Sequence, residues 1–374
     1  MRRVGVDACC LTAHRTGIAN YVSALLEPLC RRHPDVGFFL YSNEAVVFSE
    51  LPNVTVRISK PRLPISLWQN TQLIQMMIED KIQVIWGTNG IIPIFRPGNV
   101  GTVVTIHDLA HYFVPATQMR KIRAKQRLLQ PISARRADKV VAVSQSTADD
   151  IEKVYRRRDV SVIHPIVSDT YRHISPEAAS EVRRTLDVPE RFILTVGTLE
   201  PRKNIAALIQ AYLSVIAEGV RLPQLVIAGA RGWLDASLGA LVEKSQRAGA
   251  VRYLGFVSND ALAGLYASCE AFIMPSLYEG FGMPILEAQL CGAPVVHGEH
   301  QSMSEAASGI GVKIESSSEA MRHLFHELSR GECALTCRIR STIRNDASES
   351  ADHLWEVMAE ASQCRRPYPA VGSI

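Results

Sequence analysis

Glu279 and Glu287 are separated by seven residues in the stretch AFIMPSLYEGFGMPILEAQLCGAPVV, residues 271–296, with Gly280, Phe281 and Gly282 between them. AFIM is an apolar run short enough for a buried strand. Pro284 suits a first helical position, where its missing N–H costs nothing, and Gly292 with Pro294 stops a helix. The spacing therefore predicts strand, loop, short helix and strand, with Glu279 on the loop and Glu287 in the first turns of the helix. Glycines let a ligand approach the backbone at a helix N-terminus, whose unpaired N–H groups and dipole favour an anion. The arrangement reads as an anion site with a carboxylate on either side. The alternative is simple turn chemistry, with the first-turn glutamate complementing the dipole.

Three further stretches carry candidate chemistry. In FILTVGTLEPRKNIAAL an apolar strand reaches Gly197, a loop carries Arg202 and Lys203, and Asn204 can cap the following helix. Two cations beside a helix N-terminus reinforce each other as a phosphate site. GTVVTIHD ends a strand on His107 and Asp108, where a histidine is either a satisfied core residue or a group facing a ligand. Gly17 opens a helix after the loop ACCLTAHRTG. GTNG, residues 87–90, closes another strand and makes Asn89 an acceptor-site candidate, because ligands of open α/β sheets bind at the carboxyl ends of strands.

EGFG-P-E and GTLEPRKN together resemble the E-x7-E signature and diphosphate loop of retaining glycosyltransferases of family 4, which have the GT-B fold. The resemblance covers nearly the whole chain. It implies an α/β protein of two doubly wound, Rossmann-like domains facing an interdomain cleft. It also implies that Glu279 works close to the donor sugar, that Glu287 holds the ribose, and that Arg202 and Lys203 take the diphosphate beside Gly197, Gly280, Phe281 and Gly282. The segment at Phe256 and Val257 would contact the base through its backbone. His107 would bond a sugar hydroxyl, and Asp108 would orient that ring or help bind the acceptor. RTGIANY is similar to the TGIG-R-Y form of one subgroup, with Ala19 where that form has glycine, and implies an acceptor or phosphate loop at Gly17 and Tyr21. Thr198 and Ser304 are two more departures, standing where some members have arginine and proline.

The TGI-x-x-Y and EPRKN forms look like those of bacterial mannosyl- and rhamnosyltransferases of polysaccharide and O-antigen assembly. GDP-mannose is the expected donor, with a UDP-sugar or GDP-rhamnose as the alternative and a non-hydrolysing nucleotide-sugar epimerase as a more distant one. The acceptor would be a saccharide or lipid-linked oligosaccharide. No D-x-D occurs in the sequence, so no metal is expected and the nucleotide-sugar is a co-substrate rather than a cofactor.

The elements that must position these groups alternate between strand and helix patterns through both halves, as two facing α/β domains require. The expected division is an acceptor-binding domain over 1–168, a nucleotide-sugar domain over 169–350, and a last amphipathic helix in 351–374 crossing back. At 374 residues the chain exceeds one comfortable core. Hydrophobic residues at 47% and charged residues at 21% describe a soluble composition, and no run approaches a membrane span. The N-terminus lacks a signal-peptide pattern, which predicts a cytoplasmic protein. Eight cysteines without zinc spacing read as free thiols.

Net charge is +4, and the surplus of cations lies before Thr170. No aromatic and basic interleaving points to nucleic acid. Residues 119–139 hold eight Lys or Arg against Asp138 alone. They predict a helix kinked or broken near Pro131 that is either solvated or lies on anionic lipid through Arg120, Lys121, Arg123 and Lys125, giving a peripheral association with the inner face of the cytoplasmic membrane.

Overall fold

The structure, a computed structural model, describes residues 1–13, 16–59, 65–172, 174–232, 236–332 and 346–364. His14, Arg15, Cys333, Cys337 and residues 365–374 of the expected last segment lie outside these. The described residues fall into two compact units. One takes 1–109, 120–166 and 346–364, and the other takes 110–119 and 167–332.

In chain order the first part runs β1 (Arg3–Asp7), α1 (Gly17–Arg32), β2 (Gly37–Ser42), β3 (Val54–Ile58), α2 (Ile65–Gln69), α3 (Gln72–Glu79), β4 (Val84–Gly87) and β5 (Gly101–Ile106). The short α4 (Ala110–Phe113) belongs to the second unit. Then come α5 (Arg120–Arg136), β6 (Lys139–Ala142), α6 (Gln145–Tyr155) and β7 (Val160–Val162). The second part runs α7 (Pro176–Thr185), β8 (Phe192–Val196), α8 (Ile205–Ala217), β9 (Gln224–Ala228), α9 (Ala236–Arg247), β10 (Val251–Gly255), α10 (Asn259–Ser268) and β11 (Ala271–Met274). It continues through α11 (Met283–Leu290), β12 (Val295–His297), α12 (Gln301–Ala307), β13 (Val312–Lys313) and α13 (Ser318–Arg330), and α14 (Ala347–Gln363) returns to the first unit.

Each unit is a parallel sheet with helical crossovers. The orders are β3-β2-β1-β4-β5-β6-β7 and β10-β9-β8-β11-β12-β13. Parallel strands covered on both faces must be apolar throughout, and β4, β5 and β11 are buried at every position. The strand order reverses at β1/β4 in one unit and at β8/β11 in the other, opening a crevice at the strands' carboxyl ends. Every candidate loop read from the sequence except the one at Val257 follows one of these four strands or the neighbouring β5.

Three expectations are corrected. The sequence pattern over 67–80 predicts one helix and the structure has two, because Thr71 Oγ1 donates back to the Leu67 carbonyl and Asn70 Oδ1 takes the Ile94 N–H, pulling the chain out of helical register. The basic helix α5 runs continuously through Pro131, so of the expected kink or break there is no break. Asn204 makes no side-chain cap. It is left-handed at φ 57, and its amide donates to the carbonyls of Pro275 and Ser316. Ser144, by contrast, caps α6 by accepting the Thr147 N–H. The six described cysteines are free, and among the described residues no helix is long and apolar enough to cross a membrane.

Helix α14 is held against the first unit by a two-pronged Arg32–Asp352 pair at 2.7 and 2.6 Å and by His33 stacked on Trp355. A close approach to the start of β5 fixes its depth, since a Cβ on Gly101 would lie 2.3 Å from the Ala361 carbonyl oxygen. Gly101→Ala must push the helix away from the start of β5. It is expected to destabilise the protein by about 1–3 kcal/mol, read as a lower urea midpoint; an unchanged midpoint would show that the helix is not seated there.

Candidate active site

The second unit gathers its chemistry at the β8/β11 reversal. The loop after β8 and the loop after β11 are stitched by backbone and side chain. The Leu277 N–H donates to the Arg202 carbonyl, and the Arg202 guanidinium donates to the Tyr278 carbonyl at 2.9 Å. The Asn204 bond to Pro275 ties the same two loops. This positional role explains an asparagine at the loop's end better than capping does.

Glu279 is the centre of the cluster. Its Oε2 accepts from Arg202 and its Oε1 from Lys203, each at 2.7 Å, while Arg202 also reaches Glu200 at 2.7 Å. Only 7% of Glu279 is exposed. Burial opposes its ionisation, but the two cations outweigh that and hold the carboxyl at about 2. Lys203 reaches it with its methylenes across Gly197, where any Cβ would lie 3.4–3.5 Å from the lysine carbons.

Glu287 is placed differently. It lies in α11, 8% exposed, with the Tyr266 hydroxyl donating to it at 3.3 Å. Burial dominates, Tyr266 and the charge of Lys203 offset it only in part, and the carboxyl is pushed up to about 7. One glutamate is therefore held ionised while the other titrates near neutrality.

Gly282 is required by conformation, since it begins α11 at φ 114, outside the range of residues with a Cβ. Amides at that helix start are fewer than the sequence promised. Pro284 has none, and the Ile285 N–H is spent on the Gly282 carbonyl. Val257 follows β10, which stands two strand positions from β8, and it is half-buried beside the exposed Phe256. The structure thus brings together Arg202, Lys203, Gly197, Glu279 and Glu287, and leaves Val257 apart.

Sequence reasoning missed the support behind Glu279. Ser302, on α12, donates to the Glu279 carbonyl at 2.7 Å, and having spent its proton there it accepts from His300 Nδ1 at 2.8 Å. Tyr278 is flanked by the His300 ring at 4.2 Å and by Phe113, stacked at 5.6 Å. The sequence marks only Ser304 in this helix. No spacing rule connects His300 to Glu279, which lies on a different loop.

In the first unit, His107 follows β5 and its Nε2 lies 2.7 Å from the Thr88 carbonyl. A carbonyl can only accept, so Nε2 carries the proton and Nδ1 presents a lone pair. Burial, the dominant cause, lowers the His107 pKa against the opposing effects of Thr88 and Asp108, so the ring is neutral. Tyr21 packs edge-on to this ring at 5.3 Å and donates its hydroxyl to the Ile163 carbonyl. It is buried and packs against His107. Asn89 is exposed beside Thr88, and Gly17 is exposed with open space around it. The departure at Ala19 falls on a buried residue whose N–H is already bonded to Thr16 Oγ1. Lys125 also departs from expectation: it is half-buried, and the charges of Asp7 and Cys9 act on it.

Comparison with known proteins agrees with this geometry. A family model described as Glycosyltransferase Family 4 matches residues 15–171, and one described as Glycosyl transferases group 1 matches residues 179–321. Sucrose-phosphate synthase from Thermosynechococcus elongatus superposes with a TM-score of 0.70 at 16% identity, covering 97% of both chains. WaaG, a glycosyltransferase involved in lipopolysaccharide biosynthesis, gives 0.68 at 16% over 97% of this chain and 98% of its own. The two parallel-sheet units define the GT-B class. Within it, the chain belongs to glycosyltransferase family 4.

O-antigen chain mannosyltransferase B of Escherichia coli is 34% identical over 214 residues, 56% of each chain. Serotype-specific mannosyltransferase WbdA of Escherichia coli is 35% identical over 178 residues, 46% of this chain and 22% of its own. The chain thus spans about half the length of the first relative and less than a quarter of the second.

The raised Glu287 pKa makes a signed prediction. Its contribution to stability is fully present below the unfolded value near 4.5 and is lost as pH rises through about 7. Wild-type stability should therefore fall across that window by up to about 3 kcal/mol, and Glu287→Gln should lack that component. Parallel urea-unfolding profiles for the two proteins from pH 4.5 to 7.5 would contradict the burial argument.

Proposed function

We propose that this chain is a retaining glycosyltransferase that needs no metal ion. It moves a hexosyl group, mannose from GDP-mannose, to a saccharide or lipid-linked acceptor in O-antigen or similar surface polysaccharide synthesis. The observation that carries this reading is the Arg202, Lys203 and Glu279 cluster at the β8/β11 reversal. The names of the curated relatives support the mannosyl and O-antigen parts.

In this reading the donor's diphosphate engages Arg202 and Lys203 while they stay close enough to Glu279 to keep the carboxylate ionised beside the sugar. The acceptor hydroxyl attacks the anomeric carbon from the face that the nucleoside diphosphate vacates. The bond between that carbon and the phosphate oxygen breaks with its electron pair going to the phosphate, which also takes the acceptor's proton. The cations meet the developing negative charge and Glu279 the positive charge on the ring. Glu287 accepts from the ribose hydroxyls, and the backbone at Val257 holds the base. His107 Nδ1 accepts from a hydroxyl of the transferred sugar, with Asp108 beside it.

Lys203→Ala and Glu279→Ala are each expected to slow mannosyl transfer by at least about a hundredfold with unchanged circular dichroism, and the parent enzyme is expected to keep its full rate in EDTA. Near-normal rates in the variants would refute the site, and a strict need for added Mn²⁺ would refute the metal-free scheme.

The reading includes a peripheral contact of this cytoplasmic enzyme with anionic membrane through Arg120, Lys121 and Arg123. Exposed Ile122 and Leu128 share that helix. Neutralising the three cations should reduce sedimentation with anionic liposomes, and unchanged sedimentation would mark the helix as solvated surface only.

A further inference from the structure

Glu279 is followed by Gly280, which has no Cβ to limit the backbone beyond it. The direction in which the carboxylate points is therefore set by what holds the peptides on either side of its Cα. Two hydrogen bonds do this. The Tyr278 carbonyl accepts from Arg202 at 2.9 Å, and the Glu279 carbonyl accepts from Ser302 at 2.7 Å. Because each peptide is planar, holding these two carbonyls holds both backbone dihedrals of Glu279. One of the two donors is a cation that the diphosphate would engage. Ser302 is the donor whose bond a ligand leaves alone.

A serine hydroxyl is a rotor with a single proton, and Ser302 is fully buried, so solvent would not make good a lost bond. Something must keep that proton on the Glu279 carbonyl. His300 does so, with its Nδ1 2.8 Å from the Ser302 oxygen. Since the serine proton is spent on a carbonyl, the nitrogen is the donor, and the ring is held in its Nδ1–H form. Burial lowers the His300 pKa against the opposing charge of Glu279, so the ring is neutral and has that one proton to give. The same ring lies 4.2 Å from the ring of Tyr278. Helix capping does not account for the residue. His300 stands at the N-cap of α12, where serine, threonine, asparagine or aspartate would accept a backbone N–H, and its side chain makes no such bond.

We propose that His300 is a positioning residue for glycosyl transfer: its Nδ1–H locks Ser302, and Ser302 holds the Glu279 backbone while Arg202 is shared with the donor's diphosphate. The role deepens the transferase reading and rests on it. His300 acts through Ser302, so its loss moves the carboxylate and leaves the grip on the nucleotide.

Donor turnover by the full chain without acceptor, followed as nucleotide release from GDP-mannose and in parallel from UDP-glucose, tests this. His300→Phe keeps a ring against Tyr278 and removes the donor, whereas His300→Asn removes the ring and keeps an N–H near the place of Nδ1. His300→Phe is expected to lower kcat at least about tenfold with KM within about threefold of the parent, and His300→Asn to recover most of that loss. Ser302→Ala should match His300→Phe, and the double variant should fall no further than either alone, as members of one chain of bonds must. A parental kcat in His300→Phe, equal losses in the Phe and Asn variants, or additive losses in the double variant would overturn the proposal. If His300→Phe does not fold, a parental kcat in Ser302→Ala overturns it. Nitrogen NMR on histidine-labelled protein needs no donor: His300 is expected as the Nδ1–H tautomer at neutral pH, and the Nε2–H tautomer would break the chain of bonds and the proposal with it. Turnover of UDP-glucose but not GDP-mannose would sink the GDP-mannose reading alone, and the variants are then compared on UDP-glucose. Turnover of neither would remove the positioning role as well.

Discussion

Glu279 is a carboxylate with almost no access to water, held between a guanidinium and an ammonium that come from a different loop. A buried carboxylate without partners would take up a proton, and buried cations without partners would be more costly still. Each charge is therefore the condition for the others. The four ionic groups Glu200, Arg202, Lys203 and Glu279 nearly cancel within the cluster. Its geometry ties the loop after β8 to the loop after β11, with Asn204, Ser302 and Tyr278 fastening it from behind. A negatively charged ligand entering here does not have to gather cations from solvent. It meets two cations already in place, which costs little reorganisation.

The two units apply one topological device to different chemistry. Each opens a crevice where the strand order reverses. In the second unit the crevice carries strong charges in mutual contact and two glutamates whose surroundings drive their pKa values apart. Cations set one low, and burial sets the other high. In the first unit the crevice carries a neutral imidazole and the Asp7 side chain bonded to the Gln69 amide.

Much of the fold was legible because the signals were local. Apolar runs of four to six residues became β4, β5, β8 and β11, and Ile18, Tyr21, Val22, Leu25, Leu26 and Leu29 at helical spacing predict the observed helix from Gly17 to Arg32. The errors also have local causes seen only in three dimensions. Asn70 leaves the helix because Ile94 offers it a backbone N–H, and Asn204 abandons capping because two carbonyls from distant loops accept its amide. Lys125 reads by sequence as one more member of a cationic surface run, but it is half-buried, and the charge of the buried Asp7 acts on it.

The sequence alone determined that Arg202, Lys203, Glu279 and Glu287 sit at the ends of buried strands and at a helix start, because the order of apolar runs, glycines and prolines fixes those positions. It also carried the family, through spacings that survive without any neighbour. Which of these groups touch, and therefore which are ionised, was decided by the tertiary structure. Protonation depends on burial and on charges brought within a few ångströms from elsewhere in the chain, and nothing in the spacing of 279 and 287 says that one is clamped by cations and the other left beside a tyrosine.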